Sequence, residues 1–216
     1  MSEPDRRLTV TIPTSGLELT GELDIPATGS GLVVFVHGSG SSRHSPRNRF
    51  VSDTLNDAHL ATLLFDLLTE SEARDRSNVF DIELLARRVT DAVGWLREHD
   101  AVGRLPIGLF GASTGAAAAL WASVDDAEVR AVVSRGGRPD LAAPRLHRVT
   151  APTLLIVGGR DEVVLDLNRR AAVELRCAHR VDVIPGATHL FEEPGTLGSA
   201  AGLAREWFVR HLQGDE

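Results

Sequence analysis

Residues 105–120 read LPIGLFGASTGAAAAL. Ile107 to Phe110 is an apolar run of strand length, and the alanines from Ala116 to Ala119 begin a small-residue helix. Gly111-Ala112-Ser113-Thr114-Gly115, between them, is therefore a sharp strand-to-helix turn. Such a turn forces its central residue into a strained backbone conformation. Glycine on either side removes a Cβ that would meet the neighbouring strand or helix. The Ser113 hydroxyl is then lifted to the top of a sheet, in front of a helix N-terminus, where a nucleophile would stand. The other reading is a glycine-rich turn with an idle serine, and the rest of the chain decides between the two.

Outward from this turn, strands and helices alternate. Upstream, Leu8–Ile12 and Leu17–Leu23 alternate apolar with polar residues around Thr14-Ser15-Gly16, the pattern of an antiparallel hairpin at a sheet edge. Leu32–Val36 and Ala61–Phe65 are continuous apolar runs of the kind buried on both faces of a parallel sheet. Ser45-Pro46 opens a helix to about Ala58, Thr69–Asn78 reads as a polar loop, and Val79–His99 carries apolar residues at helical spacing. Downstream, Val129–Ser134, Pro152–Val157 and Val181–Ile184 read as strands. Asp166–Cys177 and Thr196–Leu212 read as helices, and Leu141–Val149 holds a short helix at most. The expected architecture is α/β: a mostly parallel, doubly wound sheet with an antiparallel N-terminal hairpin, in a single domain over residues 1–216. In such sheets the active groups collect on loops at the carboxyl ends of the strands.

Two further groups sit on such loops. Asp161 follows one strand in Gly158-Gly159-Arg160-Asp161-Glu162, and His189 follows the last in PGATHLFEEP. A serine hydroxyl is a weak nucleophile near neutral pH and needs a base. Histidine can take its proton and return it to a leaving group, while a carboxylate fixes the imidazole tautomer and stabilises its cationic form. Ser113, Asp161 and His189 are thus the candidate catalytic residues, with Glu162 as fallback acid. An acyl-transfer intermediate also needs fixed donors for its oxyanion. The N–H of Thr114 supplies one candidate. The loop His37-Gly38-Ser39-Gly40 supplies the other, with the Ser39 N–H expected first and that of Gly40 second. His37 is expected to orient that loop.

Composition narrows the class. A net charge of -7 argues against general nucleic-acid binding and anionic membranes. A single cysteine, Cys177, leaves no internal disulfide, and the first ten residues, MSEPDRRLTV, lack an apolar leader core. A cytoplasmic protein without a membrane span is expected. No His/Cys/Asp/Glu cluster has metal-ligand spacing, so neither metal nor cofactor is expected.

In HGSG, GASTG, GGRDE and ATH, taken in order from about Leu32 to Leu212, the chain resembles the α/β-hydrolases, nearest their small, lidless, dienelactone-hydrolase-like branch. The resemblance implies that Ser113, Asp161 and His189 form the triad. Dienelactone hydrolases proper use a cysteine nucleophile. Serine at this elbow favours a serine esterase over lactone hydrolysis of the dienelactone type. The chain is also similar to hydrolase domains fused to phosphoribosyltransferase-like domains, but it contains no phosphoribosyl-pyrophosphate loop and no room for such a partner. The expected activity is cleavage of a small-molecule carboxylic ester, thioester or lactone through an acyl-enzyme. A catalytically silent ligand-binding module and an acyltransferase using the same residues are the alternatives.

Two features bear on substrate. Gly136–Thr150 leaves no room for the helical lid many relatives insert, so an open, shallow site is expected. Basic residues also gather at two strand ends, among them Arg43, Arg47 and Arg49 after one and Arg135 and Arg138 after another. Arg43, Arg47 and Arg135 are the candidates to bind an anionic substrate group, since the guanidinium fork suits carboxylates and phosphates. Alternatively these arginines are solvated, or brace loops by pairing with Asp66 and Asp140.

Overall fold

The computed structural model describes residues 6–213. Residues 1–5, half of the segment read for a leader, lie outside the described residues. The chain enters on two antiparallel strands, β1 (Arg6–Thr14) and β2 (Leu17–Ile25), each longer than the alternation alone marks out. Ser15 and Gly16 join them with φ of 32° and 82°, a left-handed pair whose twist matches that of the strands. β3 (Gly31–Val36) follows, then α1 (Pro46–Asn56), where the Ser45 hydroxyl accepts the Asn48 N–H at 3.4 Å and proline takes the first turn. Next comes β4 (Leu60–Phe65).

The expected loop at Thr69–Asn78 is instead helical. It forms α2 (Glu70–Ala73) and α3 (Arg76–Phe80), started by a reciprocal Thr69–Glu72 capping box and by Asp75. Asp81 then caps α4 (Ile82–Arg97), so the long helix begins later than its apolar spacing suggests. β5 (Ile107–Ala112), α5 (Thr114–Asp125) and β6 (Val129–Arg135) match the reading of the elbow region. Residues Pro139–Arg148 form 3₁₀ turns rather than a lid. β7 (Thr153–Gly158), α6 (Glu162–Glu174), β8 (His179–Ile184) and α7 (Thr196–Leu212) complete the chain. α6 starts directly after Asp161, ahead of the expected Asp166.

All eight strands share one sheet, ordered β1-β2-β4-β3-β5-β6-β7-β8, and every pairing from β4 to β8 is parallel. β3, β4, β5 and β7 are buried along their whole length. The pleat sends Leu32, Val34 and Val36 into a core under α4 and α5, and Val33 and Phe35 into a second core under α1 and α7. Each fully buried leucine or phenylalanine contributes about 2 kcal/mol of burial. Small residues let α5 sit against the sheet, with Ala116 to Ala119 wholly buried.

This topology places the site. β3 lies between β4 and β5, so the chain leaves β3 toward one edge and β5 toward the other. Their carboxyl ends open a crevice at this reversal, the usual binding place in an open α/β sheet. Among the described residues, no helix is long and apolar enough to cross a membrane.

Candidate active site

Ser113 joins β5 to α5 with φ 51° and ψ −123°, a conformation that costs a residue with a Cβ on the order of 1–3 kcal/mol. The surroundings hold it there. A Cβ on Gly111 would overlap the Ala116 backbone, and one on Gly115 would overlap the Val36 carbonyl, so only glycine permits this approach of helix to sheet. The Ser113 N–H donates to the Arg135 carbonyl at 3.3 Å, and the Ser113 carbonyl accepts from the N–H of Arg138 at 3.0 Å.

His189 Nε2 lies 3.3 Å from Ser113 Oγ, and His189 Nδ1 lies 2.6 Å from Asp161 Oδ2. The three sequence-predicted residues therefore form one line. Ser113 and Asp161 each occupy the N-cap position of a helix, α5 and α6, yet neither side chain caps it. Aspartate before a helix is an ordinary cap; here its carboxylate turns to the imidazole instead. Glu162, the fallback acid, is the first residue of α6 and points into solvent.

The loops that bear Asp161 and His189 are tied together. The N–H of Arg160 donates to the Ala187 carbonyl and that of Gly159 to the Ile184 carbonyl, both at 2.9 Å. The histidine loop is anchored by residues that motif reading passed over. Phe191, at φ 56°, is held in the left-handed region while its ring is buried in the core under α7. Glu193 accepts the Thr188 N–H at 3.1 Å, and hydrogen bonding to Thr188 holds its carboxyl below the usual range.

The backbone N–H groups expected as oxyanion donors are not equally free. Thr114 is the first residue of α5, so the helix cannot use its N–H. The Ser39 N–H is not free: it donates to the Thr114 hydroxyl at 2.9 Å. Thr114 thus fastens the loop after β3 to the elbow, a contact between chain segments 75 positions apart that local sequence cannot reveal. Gly40, at φ 70°, completes the turn in which Ser41 N–H bonds the Gly38 carbonyl. His37 orients the same loop. Its Nε2 accepts the Leu67 N–H at 3.1 Å, which leaves the proton on Nδ1 to meet the Gly38 carbonyl at 3.0 Å. Burial pushes its pKa below the ordinary value.

The three candidate arginines part company. Arg43 is committed elsewhere: its N–H donates to Asp66 at 2.8 Å, its guanidinium pairs with the same carboxylate, and Glu22 lies 4.0 Å away. It braces the loop after β3 against the end of β4, the alternative that the sequence offers to substrate binding. Arg138 is likewise held by Asp140 at 2.8 Å. Arg47 is partly exposed, 3.4 Å from Glu192, and Arg135 is buried. Beside the loop after β3 opens a cavity of about 640 Å³, with Ser39 and Ser42 on one wall and Leu67, Leu68 and Val79 on another. Among the described residues, no group of three His, Cys, Asp or Glu could hold a metal ion.

A parallel sheet with an antiparallel hairpin, a strained serine elbow after β5, an aspartate after β7 and a histidine after β8 define an α/β-hydrolase fold. The dienelactone hydrolase family matches residues 65–209, and the chain belongs to that family. A dienelactone hydrolase from Anabaena variabilis is similar at 50% identity with a TM-score of 0.94, covering 97% of this chain and 100% of that one. Est1E from Butyrivibrio proteoclasticus shares the fold alone, at 16% identity and a TM-score of 0.81 over 94% of this chain and 98% of its own. A Mycobacterium tuberculosis H37Rv protein named "Putative phosphoribosyl transferase Rv0571c" is 58% identical over 98% of this chain and 48% of its own length. The chain therefore spans about half of that relative.

Proposed function

We propose that this protein is a serine hydrolase that cleaves small carboxylic esters, thioesters or lactones through an acyl-enzyme on Ser113. The observation that carries this reading is the hydrogen-bonded line from Ser113 through His189 to Asp161. Ser113 Oγ attacks the acyl carbon as its proton passes to His189 Nε2, and Asp161 holds the His189 Nδ1–H and stabilises the imidazolium. The negative charge on the former carbonyl oxygen meets the Thr114 N–H and the loop after β3. His189 then protonates the departing alcohol or thiol. Water enters, gives its proton to the same nitrogen and releases the acid.

Small substrates fit the absence of a lid over Pro139–Arg148 and the open cavity beside Ser39. The transferase name belongs to a protein of which this chain spans 48%, and it does not suit this chemistry. A fluorophosphonate probe followed by intact mass tests the reading. One adduct is expected on the native chain and none on Ser113→Ala. No adduct on the native chain would refute the enzyme reading, and an adduct on the alanine variant would show the nucleophile misassigned.

A further inference from the structure

The cavity of about 640 Å³ beside the loop after β3 lies within the size range of small-molecule sites, about 300–1,000 Å³. The buried Leu19, Leu67 and Leu85 line it, together with the partly exposed Leu68 and Val79. Val79 belongs to α3, and α2 adds Ala73 to the same wall. These two short helices bury no residue of their own, so core packing does not account for them. They are held by their caps and by the ion pair of Glu72 with the buried Arg88 at 2.8 Å. What they do form is one wall of the cavity.

The cavity begins next to the elbow. Gly38 and Ser39 line it, a Cβ on Gly38 would come within 3.0 Å of the Ser113 Cβ, and the Ser39 N–H is bonded to Thr114. An acyl carbon attacked by Ser113 carries its acyl chain and its leaving group on different sides. The departing oxygen has to lie within hydrogen-bond reach of His189 Nε2 to be protonated. Among the described residues, none from the loop that bears His189 lines the cavity. With the leaving group turned to His189, the acyl chain is the part that runs past Gly38 and Ser39 into the cavity. The charges of the wall set its chemistry. Arg43 is met by Asp66 and His44 lies 3.6 Å from Glu22, which leaves Glu18 and Glu70 as an acidic excess. A carboxylate at the far end of an acyl chain would lose water there and meet like charge.

We propose that this cavity is the acyl subsite, so that the enzyme selects esters of a neutral, apolar acid larger than acetic and is tolerant of the alcohol. The proposal rests on the serine-hydrolase reading, since it needs an acyl group on Ser113. Leu68 and Ala73 stand on the wall outside the core, and enlarging either fills the space that the acyl group takes.

The test uses the full chain and p-nitrophenyl esters of acetic acid, phenylacetic acid and adipic acid, the last as the monoester with a free carboxylate. A buried phenyl group is worth about tenfold or more, so the native enzyme is expected to prefer phenylacetate to acetate by that factor in kcat/KM. It should also prefer phenylacetate to the adipate. Ala73→Trp and Leu68→Trp, two positions so that one misfolded variant does not decide the matter, should each remove most of the phenylacetate-to-acetate preference. Methyl and benzyl phenylacetate should be affected equally by either substitution. A native ratio near one, a ratio that both variants leave unchanged, or a loss confined to the benzyl ester would overturn the assignment, the last by giving the cavity to the leaving group. Thermal shift with phenylacetamide, which is not an ester, separates this failure from failure of the serine-hydrolase reading. A shift in the native protein that is lost in the two variants supports the subsite even if no ester is cleaved. No shift, or shifts that the variants leave unchanged, would reject it.

Discussion

At the scale of single residues, the site depends on side chains withheld from their ordinary local uses. Ser113 and Asp161 are both of the types that cap helices, and both stand at N-cap positions without capping. Thr114 does the reverse. Its hydroxyl takes the Ser39 N–H; if that N–H serves the oxyanion as we propose, it must change acceptor as negative charge develops. Thr114→Ala removes the competing acceptor, and its kcat on a neutral ester is expected to match or exceed the native value. Steady-state kinetics checks this. A fall would show instead that catalysis needs the Thr114 hydroxyl to fasten the loop after β3 to the elbow.

At the scale of elements, His37 links the loop after β3 to the segment after β4, using one ring nitrogen for each. Leu67 N–H can be accepted only by neutral imidazole. Because burial depresses the folded-state pKa, the unfolded chain binds a proton at higher pH than the folded one. The stabilisation is therefore complete above about pH 6.5 and is lost as pH falls through that value toward the lowered folded-state pKa. Urea unfolding from pH 8 to pH 5 is expected to show native stability falling faster than that of His37→Gln, which carries no titrating ring; parallel curves would contradict the assignment. The elements themselves were legible where burial is two-sided, because β3, β4, β5 and β7 are unbroken apolar runs. The helices at Glu70–Ala73 and Arg76–Phe80 were missed although Thr69-x-x-Glu72 is a readable capping box. Their lack of buried residues left no apolar period to notice. Ser113, Asp161 and His189 could be singled out because each follows a strand. Pairing of the arginines with Asp66 and Asp140 is one of the two readings the sequence offers, and local sequence cannot choose between them, since Arg43–Asp66, Arg49–Glu22 and Arg135–Asn48 join segments distant in sequence.

At the scale of the whole molecule, one sheet serves two cores, and its parallel strands deliver the loops that bear Ser113, Asp161 and His189 to the same edge. The site's geometry is therefore held by the global fold, and its local unfavourable terms are carried by the molecule's total stability. The backbone at Ser113 sits where glycine is at ease and serine is not. Ser113→Gly, inactive by design, relieves strain on the order of 1–3 kcal/mol and gives back about 0.5–1 kcal/mol in chain entropy. A net gain of about 1 kcal/mol corresponds to a melting temperature roughly 2–4 °C higher in a chain of this size. Thermal denaturation reads it directly, and a lower melting temperature would contradict the strain.

The two uncapped helices extend the same point. Each leaves its first N–H groups without the side-chain partner that a serine or aspartate in that position would normally supply, a forfeit of about 1 kcal/mol apiece. Together with the strained elbow, they make the reactive centre a local deficit in an otherwise well-packed molecule. Selection for stability alone would fill those caps and relax that turn, and so would erase the chemistry.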